Sequence, residues 1–242
     1  MGVAAADYNG DGTTDMFVSN SRGQTHAVFR GLATRAGGGP FAGARSGFAA
    51  AFGTNFTGWG DSWVDLNRDG YADLALANGA IPVTNLGKDA GPIQALENLA
   101  GQGLPGQFAN ASTLTGLEAA PHVNGRGLAA ADFNNDGNVD IAINTIGGPL
   151  VLLENRNRAG HWLEVSLKGF HPGATVTAEL PGGRTLVREV HAGSSYLSSE
   201  DPRLFFGLGN ATRLRSLVVR YPGGKTTRLG GVAANQILTL GR

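Results

Sequence analysis

Three stretches of this chain share one pattern: GVAAADYNGDGTTDMFVSN (residues 2–20), GDSWVDLNRDGYADLALAN (60–78) and GLAAADFNNDGNVDIAINT (127–145). Each has a glycine five residues before its first aspartate, then the nonapeptide D-x-N-x-D-G-x-x-D, then a short apolar or alternating run. The first aspartates are 58 and then 67 residues apart, which indicates an internal repeat. This repeat is the most specific feature of the sequence, and we use it to predict the fold.

The spacing of oxygen-bearing side chains predicts a site for a hard cation in each repeat. Side chains at positions 1, 3 and 5 can turn towards one point, and the glycine at position 6 permits the positive φ that closes the turn. The position-7 carbonyl and the position-9 carboxylate complete an all-oxygen set, which suits Ca²⁺, so we expect about three bound ions. The predicted ligands are Asp7, Asn9, Asp11, Thr13 and Asp15; Asp65, Asn67, Asp69, Tyr71 and Asp73; and Asp132, Asn134, Asp136, Asn138 and Asp140.

Two other interpretations of these loops are weaker. An EF-hand needs a glutamate at position 12, where this chain has Val18, Leu76 and Ile143, and its loop leads into a helix rather than into strand-like runs. A plain Asn/Asp/Gly turn would explain one copy. It does not explain three copies with the same ninth-position aspartate.

Further strand-like runs lie between the loops. The first set follows each post-loop strand: THAVFRG (25–31), IQALENLAG (93–101) and PLVLLENRN (149–157). The second set precedes the next loop: GFAAAFGTN (47–55) and GQFANASTLTGL (106–117). About four short strands per repeat is typical of a propeller blade, so residues 1–155 predict a partial or open β-propeller of about three blades.

Residues 156–242 predict a second all-β unit, a small sandwich or barrel. Gly/Pro/Asn/Ser turns separate its short runs, and helical periodicity is absent. The predicted strands are HWLEVSL (161–167), ATVTAEL (174–180), TLVREV (185–190), RLFFGL (203–208), LRSLVVRYP (214–222), TTRL (226–229) and NQILTL (235–240).

Composition excludes several classes of protein. The 242 residues contain no cysteine, which rules out a disulfide scaffold and a thiol nucleophile, and the net charge of zero argues against a nucleic-acid binder. Residues 1–155 carry 7 Lys/Arg and 14 Asp/Glu, whereas residues 156–242 carry 12 Lys/Arg and 5 Asp/Glu. The net charge of zero is therefore the sum of −7 in the first part and +7 in the second. The sequence has no run of 18 apolar residues, so no transmembrane helix is expected, and its first residues, MGVAAADYNGDG, do not show the basic-then-apolar pattern of a signal peptide.

The motifs resemble known families. The D-x-N-x-D-G-x-x-D loops between strands are similar to the FG-GAP/VCBS repeats of integrin-α-like propellers, and residues 55–79 are similar to repeats of bacterial relatives of cartilage acidic protein. The run GGRTLVREVHAGSSYLSSEDPRLFFGLGNAT (182–212), with the strands after it, resembles the ASPIC/UnbV domain. The resemblance implies Ca²⁺ in the loops and usually about seven blades. Because three blades cannot close a ring, we expect that the chain is truncated, that another chain completes the propeller, or that the blades form an open array.

Other patterns leave two questions open. GQGLPG (101–106) and GGKT (223–226) lack the context of a dinucleotide site or a P-loop, and no catalytic constellation is recognisable. Trp59 and Trp63 are either core aromatics or sugar-stacking platforms. Five arginines give the C-terminal unit either a solvated face or a docking face for the acidic half: Arg213, Arg215, Arg220, Arg228 and Arg242.

These observations favour a Ca²⁺-stabilised binding or assembly module that acts outside the cytoplasm, because modest-affinity calcium sites fill at extracellular Ca²⁺ of roughly 10⁻⁴–10⁻³ M. We expect a protein partner or self-association, with a glycan as a further option. One alternative is a structural subunit of a larger surface assembly or filament, completed by other chains. Another is a propeller-type lyase or glycan-active enzyme; no residue points to its chemistry, so a non-enzyme is favoured.

Overall fold

The computed structural model describes residues 1–32, 41–43, 51–112 and 115–241, and these residues form an all-β fold with two short 3₁₀ turns. Period-2 alternation and frequent glycine turns explain the short strands. The strands are β1 Val3–Ala6, β2 Asp15–Val18, β3 Ala27–Gly31, β4 Phe41–Gly43, β5 Gly58–Val64, β6 Asp73–Gly79, β7 Ala90–Asn98, β8 Phe108–Asn110, β9 Gly125–Ala131, β10 Asp140–Thr145, β11 Val151–Leu153, β12 His161–Leu167, β13 Thr175–Glu179, β14 Thr185–Glu189, β15 Leu204–Gly209, β16 Ser216–Arg220, β17 Thr226–Gly230 and β18 Gln236–Leu240.

Three antiparallel sheets contain the repeats. Their strand orders are β1-β2-β3-β4, β5-β6-β7-β8 and β11-β10-β9. In each sheet the D-x-N-x-D-G-x-x-D segment connects the first strand to the second, so the register of that hairpin ends at the ninth-position aspartate: Ala6 pairs with Asp15, Val64 with Asp73 and Ala131 with Asp140. The repeats therefore form three equivalent units.

Two further sheets come from the C-terminal half, with orders β15-β12-β18 and β14-β13-β16-β17. Every pairing in them is antiparallel except β12 with β18, which run parallel. All seven strands predicted after residue 160 are present, so this part of the secondary-structure prediction is confirmed.

The five sheets adopt a five-blade β-propeller arrangement. One edge strand of each sheet (β1, β5, β9, β15 or β14) contributes residues to the same central cavity. The all-β prediction is confirmed, but the prediction of about three blades followed by a sandwich or barrel is wrong. It counted only sheets that carry an aspartate loop, and the two sheets without such a loop contribute to the ring as well.

Apolar cores lie between neighbouring sheets. Phe17 and Leu74 belong to the core between the first and second sheets, and Ile93 and Ile141 to the core between the second and third. A third core joins the two C-terminal sheets around Phe206. Burial on this scale supplies the main stabilising term, at about 25 cal/mol per Å² of apolar surface.

Two sequence predictions fall partly outside the described residues. The candidate strand at 47–55 includes residues 47–50, and the candidate at 106–117 includes residues 113–114. The second of these contains β8. In the parts of the chain that the structure describes, no helix has the length and apolar character needed to cross a membrane.

Candidate functional site

The first aspartate of each loop acts as an acceptor for the loop's own backbone. In the third loop the Asp136 N–H donates to Asp132 Oδ1 at 3.1 Å, and the Gly137 N–H donates to Asp132 Oδ2 at 2.7 Å. Asp7 and Asp65 receive the corresponding bonds. The glycine at position 6 has φ of 85°, 87° and 81° in the three loops, a conformation that only glycine adopts without strain. The repeat therefore folds as three copies of one turn.

Positions 3 and 5 continue this pattern. Each position-3 asparagine accepts the N–H of position 5 through Oδ1, at 2.9 Å for Asn9, 3.1 Å for Asn67 and 3.0 Å for Asn134. Each position-5 aspartate accepts the N–H of position 7, at 2.8 to 2.9 Å. These short side chains hold the turn through bonds to local backbone, which is why Asp and Asn favour such loops.

The ninth-position aspartates are almost fully buried in all three loops. Asp15, Asp73 and Asp140 have relative exposures of 0%, 1% and 1%. Each accepts the N–H of position 2 of its own loop and a second N–H from near the end of the third strand, at 2.8 Å. Each therefore ties its loop to the outer part of its sheet.

Two asparagines join neighbouring sheets at these loops. Asn98 Nδ2 donates to the carbonyl of Tyr8, in the first loop, at 2.9 Å, and to Ala72 O at 3.1 Å. Asn155 Nδ2 donates to the carbonyl of Leu66, in the second loop, at 3.0 Å. In both cases an asparagine at or just after the third strand of one sheet binds position 2 of the preceding loop. The loop motif does not predict this role, although both asparagines occur in the shared tripeptide Leu-Glu-Asn.

The loops concentrate negative charge where water is scarce. Burial raises the pKa of Asp15 to about 6 and the pKa of Asp65 to about 7, and it raises the pKa of Asp73 well above its ordinary value. Neighbouring loop aspartates raise these pKa values further. A bound cation would offset the free-energy cost of holding these carboxylates ionised, buried and close to one another.

The donor chemistry of the loops fits Ca²⁺, since every candidate ligand is a carboxylate, amide or carbonyl oxygen. In the third loop Asn138 is 4% exposed, its Nδ2 binds Asp136 Oδ1, and its own Oδ1 has no hydrogen-bond partner. As they stand, no three His, Cys, Asp or Glu side chains among the described residues form a group that would hold a metal ion. The assignment of the fifteen residues to calcium therefore stays a prediction.

The C-terminal sheets contact the second loop directly. The Gly207 N–H donates to Asp65 Oδ2 at 3.1 Å, and the Gly209 N–H donates to Arg68 O at 2.8 Å. Arg184 donates to Asp69 O at 2.6 Å, and its guanidinium lies 4.4 Å from the centre of the Tyr71 ring.

The third loop has a comparable set of contacts. Arg203 donates to Asp132 O at 2.7 Å and to Asn135 Oδ1 at 2.8 Å, while it pairs with Glu164 at 2.7 Å. Trp162 packs against Gly137 so closely that a Cβ there would overlap the indole ring. Glu164 is 2% exposed on its side chain, and burial raises its pKa to about 7 although Arg203 opposes the shift.

A cavity of about 370 Å³ lies at the centre of the five sheets. The first aspartates of all three loops, Asp7, Asp65 and Asp132, line it together with Arg188 and Arg203. Sequence spacing could not show that the three loops meet around one space, because this depends on how the sheets pack around the axis.

One segment between β14 and β15 crosses the inner strands of the repeat sheets. Its Ser195 N–H donates to Val3 O at 3.0 Å, and the Asp61 N–H donates to Ser195 Oγ at 3.0 Å. Ser62 Oγ donates to Glu200, whose pKa burial raises to about 7. The segment therefore links the C-terminal half to the first and second sheets at the cavity.

The open questions on Trp59 and Trp63 have structural answers. Trp59 is 7% exposed and donates through Nε1 to Gly79 O at 2.8 Å, and Arg126 covers its ring. The ring of Trp63 stacks on Tyr8 with a 6° interplanar angle and a 5.3 Å centroid distance. Both residues lie in packed aromatic clusters rather than on a platform open to a sugar.

The arginines chosen from the sequence differ from those that contact the loops. Arg213 donates to Gly231 O, Arg215 forms an exposed pair with Glu179, and Arg220 is exposed. Arg228 lies on β17, and Arg242 lies outside the described residues. Arg184, Arg188 and Arg203 approach the loops instead. The charge imbalance between halves was the available signal, but it could not say which arginines face the acidic half.

The C-terminal part of the chain is similar to a known protein family. Residues 168–242 match the family model described as ASPIC and UnbV, which confirms the predicted similarity for this part of the chain. No curated protein matches the chain.

Proposed function

We propose that this protein is a calcium-binding β-propeller module that acts outside the cytoplasm in binding or assembly. The propeller-like fold and the ASPIC/UnbV match are compatible with a binding module. The proposed similarity of the repeats to FG-GAP/VCBS proteins, including bacterial relatives of cartilage acidic protein, rests on the loop sequences. The partner is a protein, a second copy of the chain, or a glycan.

One observation carries the calcium proposal: three loops of the same sequence pattern adopt the same hydrogen-bonded turn, each with a buried carboxylate at position 9. The loops gather nine aspartates, several of them buried, and the one basic residue within the three loop sequences is Arg68 of the second loop, which interacts electrostatically with Asp65. Calcium at the proposed fifteen ligands would offset the negative charge of these aspartates. The same proposal places the protein where millimolar Ca²⁺ is present.

Thermal unfolding with and without Ca²⁺ tests this proposal. At a Ca²⁺ concentration about 100 times the dissociation constant, each filled site adds roughly 2.7 kcal/mol to the free energy of unfolding. We expect a Tm that rises with Ca²⁺ and falls on addition of EGTA. Asp69→Ala should lose part of this response, whereas Asp89→Ala, outside the loops, should keep it. A wild-type Tm that ignores Ca²⁺ would refute the calcium assignment.

One separate observation supports a role in assembly. The third sheet has three strands, and among the described residues no fourth strand covers β11 as β4 and β8 cover their neighbours. Leu150 and Leu152, at this edge, are 67% and 53% exposed. Open edges of this kind accept a strand from another chain. We expect a dimer or larger species by mass measurement in solution, with Leu152→Lys weakening it; a stable wild-type monomer at high concentration would exclude this role.

A further inference from the structure

We infer that the C-terminal half acts as a clamp on the second and third calcium loops, so that Ca²⁺ binding in those two loops is thermodynamically coupled to the docking of the C-terminal sheets. This inference rests on the proposed calcium sites and assigns them a regulatory consequence. The first loop lies outside the clamp and provides an internal reference.

The contacts that the C-terminal half makes with the second loop constrain the conformation of that loop. Asp65 Oδ2 accepts two N–H groups at once, from Gly70 of its own loop at 2.9 Å and from Gly207 of β15 at 3.1 Å. The backbone carbonyls of Arg68 and Asp69 are held by Gly209 and Arg184. Arg184 reaches Asp69 through its backbone carbonyl, so this contact does not use the Asp69 side-chain oxygens, whose hydrogen bonds come from within the loop.

The third loop is held in a similar way. Arg203 binds the carbonyl of Asp132, at position 1, and the side chain of Asn135, at position 4, so neither bond uses a ligand side chain. Trp162 covers Gly137 from the C-terminal side. Arg68, within the second loop, donates to Asp136 O at 3.2 Å and so connects the two clamped loops to each other.

The first loop has a different environment. The hydrogen bonds that Asp7, Asp11 and Asp15 accept come from the loop itself and from Gly31 of β3. Arg188 of β14 interacts electrostatically with Asp7, but in the described parts of the chain no hydrogen bond joins these three aspartates to the C-terminal sheets. The sequence makes the three loops equivalent, whereas in the structure the C-terminal half donates hydrogen bonds to the second and third loops.

Coupling follows from this geometry. A bound cation orders the same loop backbone that the C-terminal donors bind. Docking of the C-terminal sheets therefore favours the loop conformation that binds the cation, and the bound cation favours the docked state. Because linkage is reciprocal, weakening the docking must lower the Ca²⁺ affinity of the clamped loops by the same factor as Ca²⁺ strengthens the docking. Couplings of this kind are typically 5- to 150-fold, and we expect about tenfold.

The test uses the full chain with single functional loops. Asp11→Ala with Asp136→Ala leaves the second loop intact, and Asp69→Ala with Asp136→Ala leaves the first. In each background Ca²⁺ affinity is measured by calorimetry before and after Gly207→Ala, whose Cβ would overlap Asp65 Oδ2 and the Arg68 backbone. The matched control is Gly230→Ala on β17, where a Cβ would have open space.

We expect Gly207→Ala to weaken Ca²⁺ binding about tenfold in the second-loop background and to leave the first-loop background unchanged. Arg184→Ala, which adds no bulk, should give a smaller loss in the same direction and covers the case in which Gly207→Ala does not fold. Hydrogen exchange of β15 provides a second readout, with Ca²⁺ expected to slow it in the wild type. Equal affinities with and without these substitutions would overturn the clamp, whereas absence of Ca²⁺ binding in the wild type would overturn the calcium proposal itself.

Discussion

Glu200 is a carboxyl group at the central cavity, where Ser62 Oγ donates to it and where burial raises its pKa from 4.5 to about 7. Because the folded state holds a proton that the unfolded state releases above pH 4.5, this group's contribution to stability is largest below pH 4.5 and is lost as the pH rises through 7. The neutral form is therefore the one that the fold accommodates.

Replacing Glu200 by the neutral isostere glutamine tests this dependence. We expect Glu200→Gln to match the wild-type Tm near pH 5 and to exceed it at pH 8 by about 3 °C or more, the shift that roughly 1 kcal/mol gives in a chain of this size. Melts between pH 5 and pH 8 at one fixed Ca²⁺ concentration provide the measurement. Glu154→Gln, at an exposed pair with Arg156, is the control and should follow the wild-type profile. Parallel profiles for Glu200→Gln and wild type would show that Glu200 titrates normally.

At the scale of elements, the link between neighbouring sheets depends on asparagines at or just after their third strands. Asn98 is 1% exposed, and its side-chain amide satisfies two carbonyls, one of them in the first loop. A buried carbonyl left without a donor costs about 1–3 kcal/mol.

Asn98→Ala should therefore lower the free energy of unfolding by about 2–4 kcal/mol, since it removes the two hydrogen bonds that the Asn98 amide donates to Tyr8 O and Ala72 O. Asn155→Ala removes a single such bond at a partly exposed position and should cost about half as much. Urea unfolding measures both values, and Asn110→Ala, at the exposed end of β8, should change the stability by less than about 0.5 kcal/mol. Equal stabilities for Asn98→Ala and Asn110→Ala would mean that the sheets are held by their apolar cores alone.

At the scale of the whole molecule, two ion pairs differ in what they connect. Arg203 joins the C-terminal half to the third loop and pairs with Glu164, with side-chain exposures of 21% and 2%. Arg215 pairs with Glu179 inside the C-terminal half, with exposures of 71% and 32%. A buried partner left without its counter-charge is strongly destabilising, whereas an exposed pair contributes little.

Arg203→Met should therefore destabilise the protein by about 3 kcal/mol and also broaden or split its unfolding transition, because the two halves would separate more easily. Arg215→Met should cost less than about 0.5 kcal/mol and leave a single transition. Calorimetry at pH 7 with saturating Ca²⁺ distinguishes these outcomes. If both substitutions had the same small effect, Arg203 would not hold the halves together.

The local features of this fold were accessible from the sequence because they depend on neighbouring residues. The strand pattern after residue 160 follows from alternation and turn residues, and the turn geometry of the loops follows from the Asp, Asn and Gly spacing. The blade number was not accessible, because the fourth and fifth sheets carry no motif and join the ring through packing. The roles of Asn98, Arg184 and Arg203 were likewise hidden, since their partners are distant in the sequence.

The sequence alone therefore determined that the chain is all-β, that it contains three loops of one kind, and where most of its strands lie. The tertiary structure alone decided that five sheets surround one cavity, that the three loops line it together, and that two of the three are held by the C-terminal half. The physical reason is the range of the interactions. Hydrogen bonds within a nonapeptide act between residues that the chain keeps together, whereas the contacts of Gly207 and Arg203 with the loops exist only after the sheets have packed.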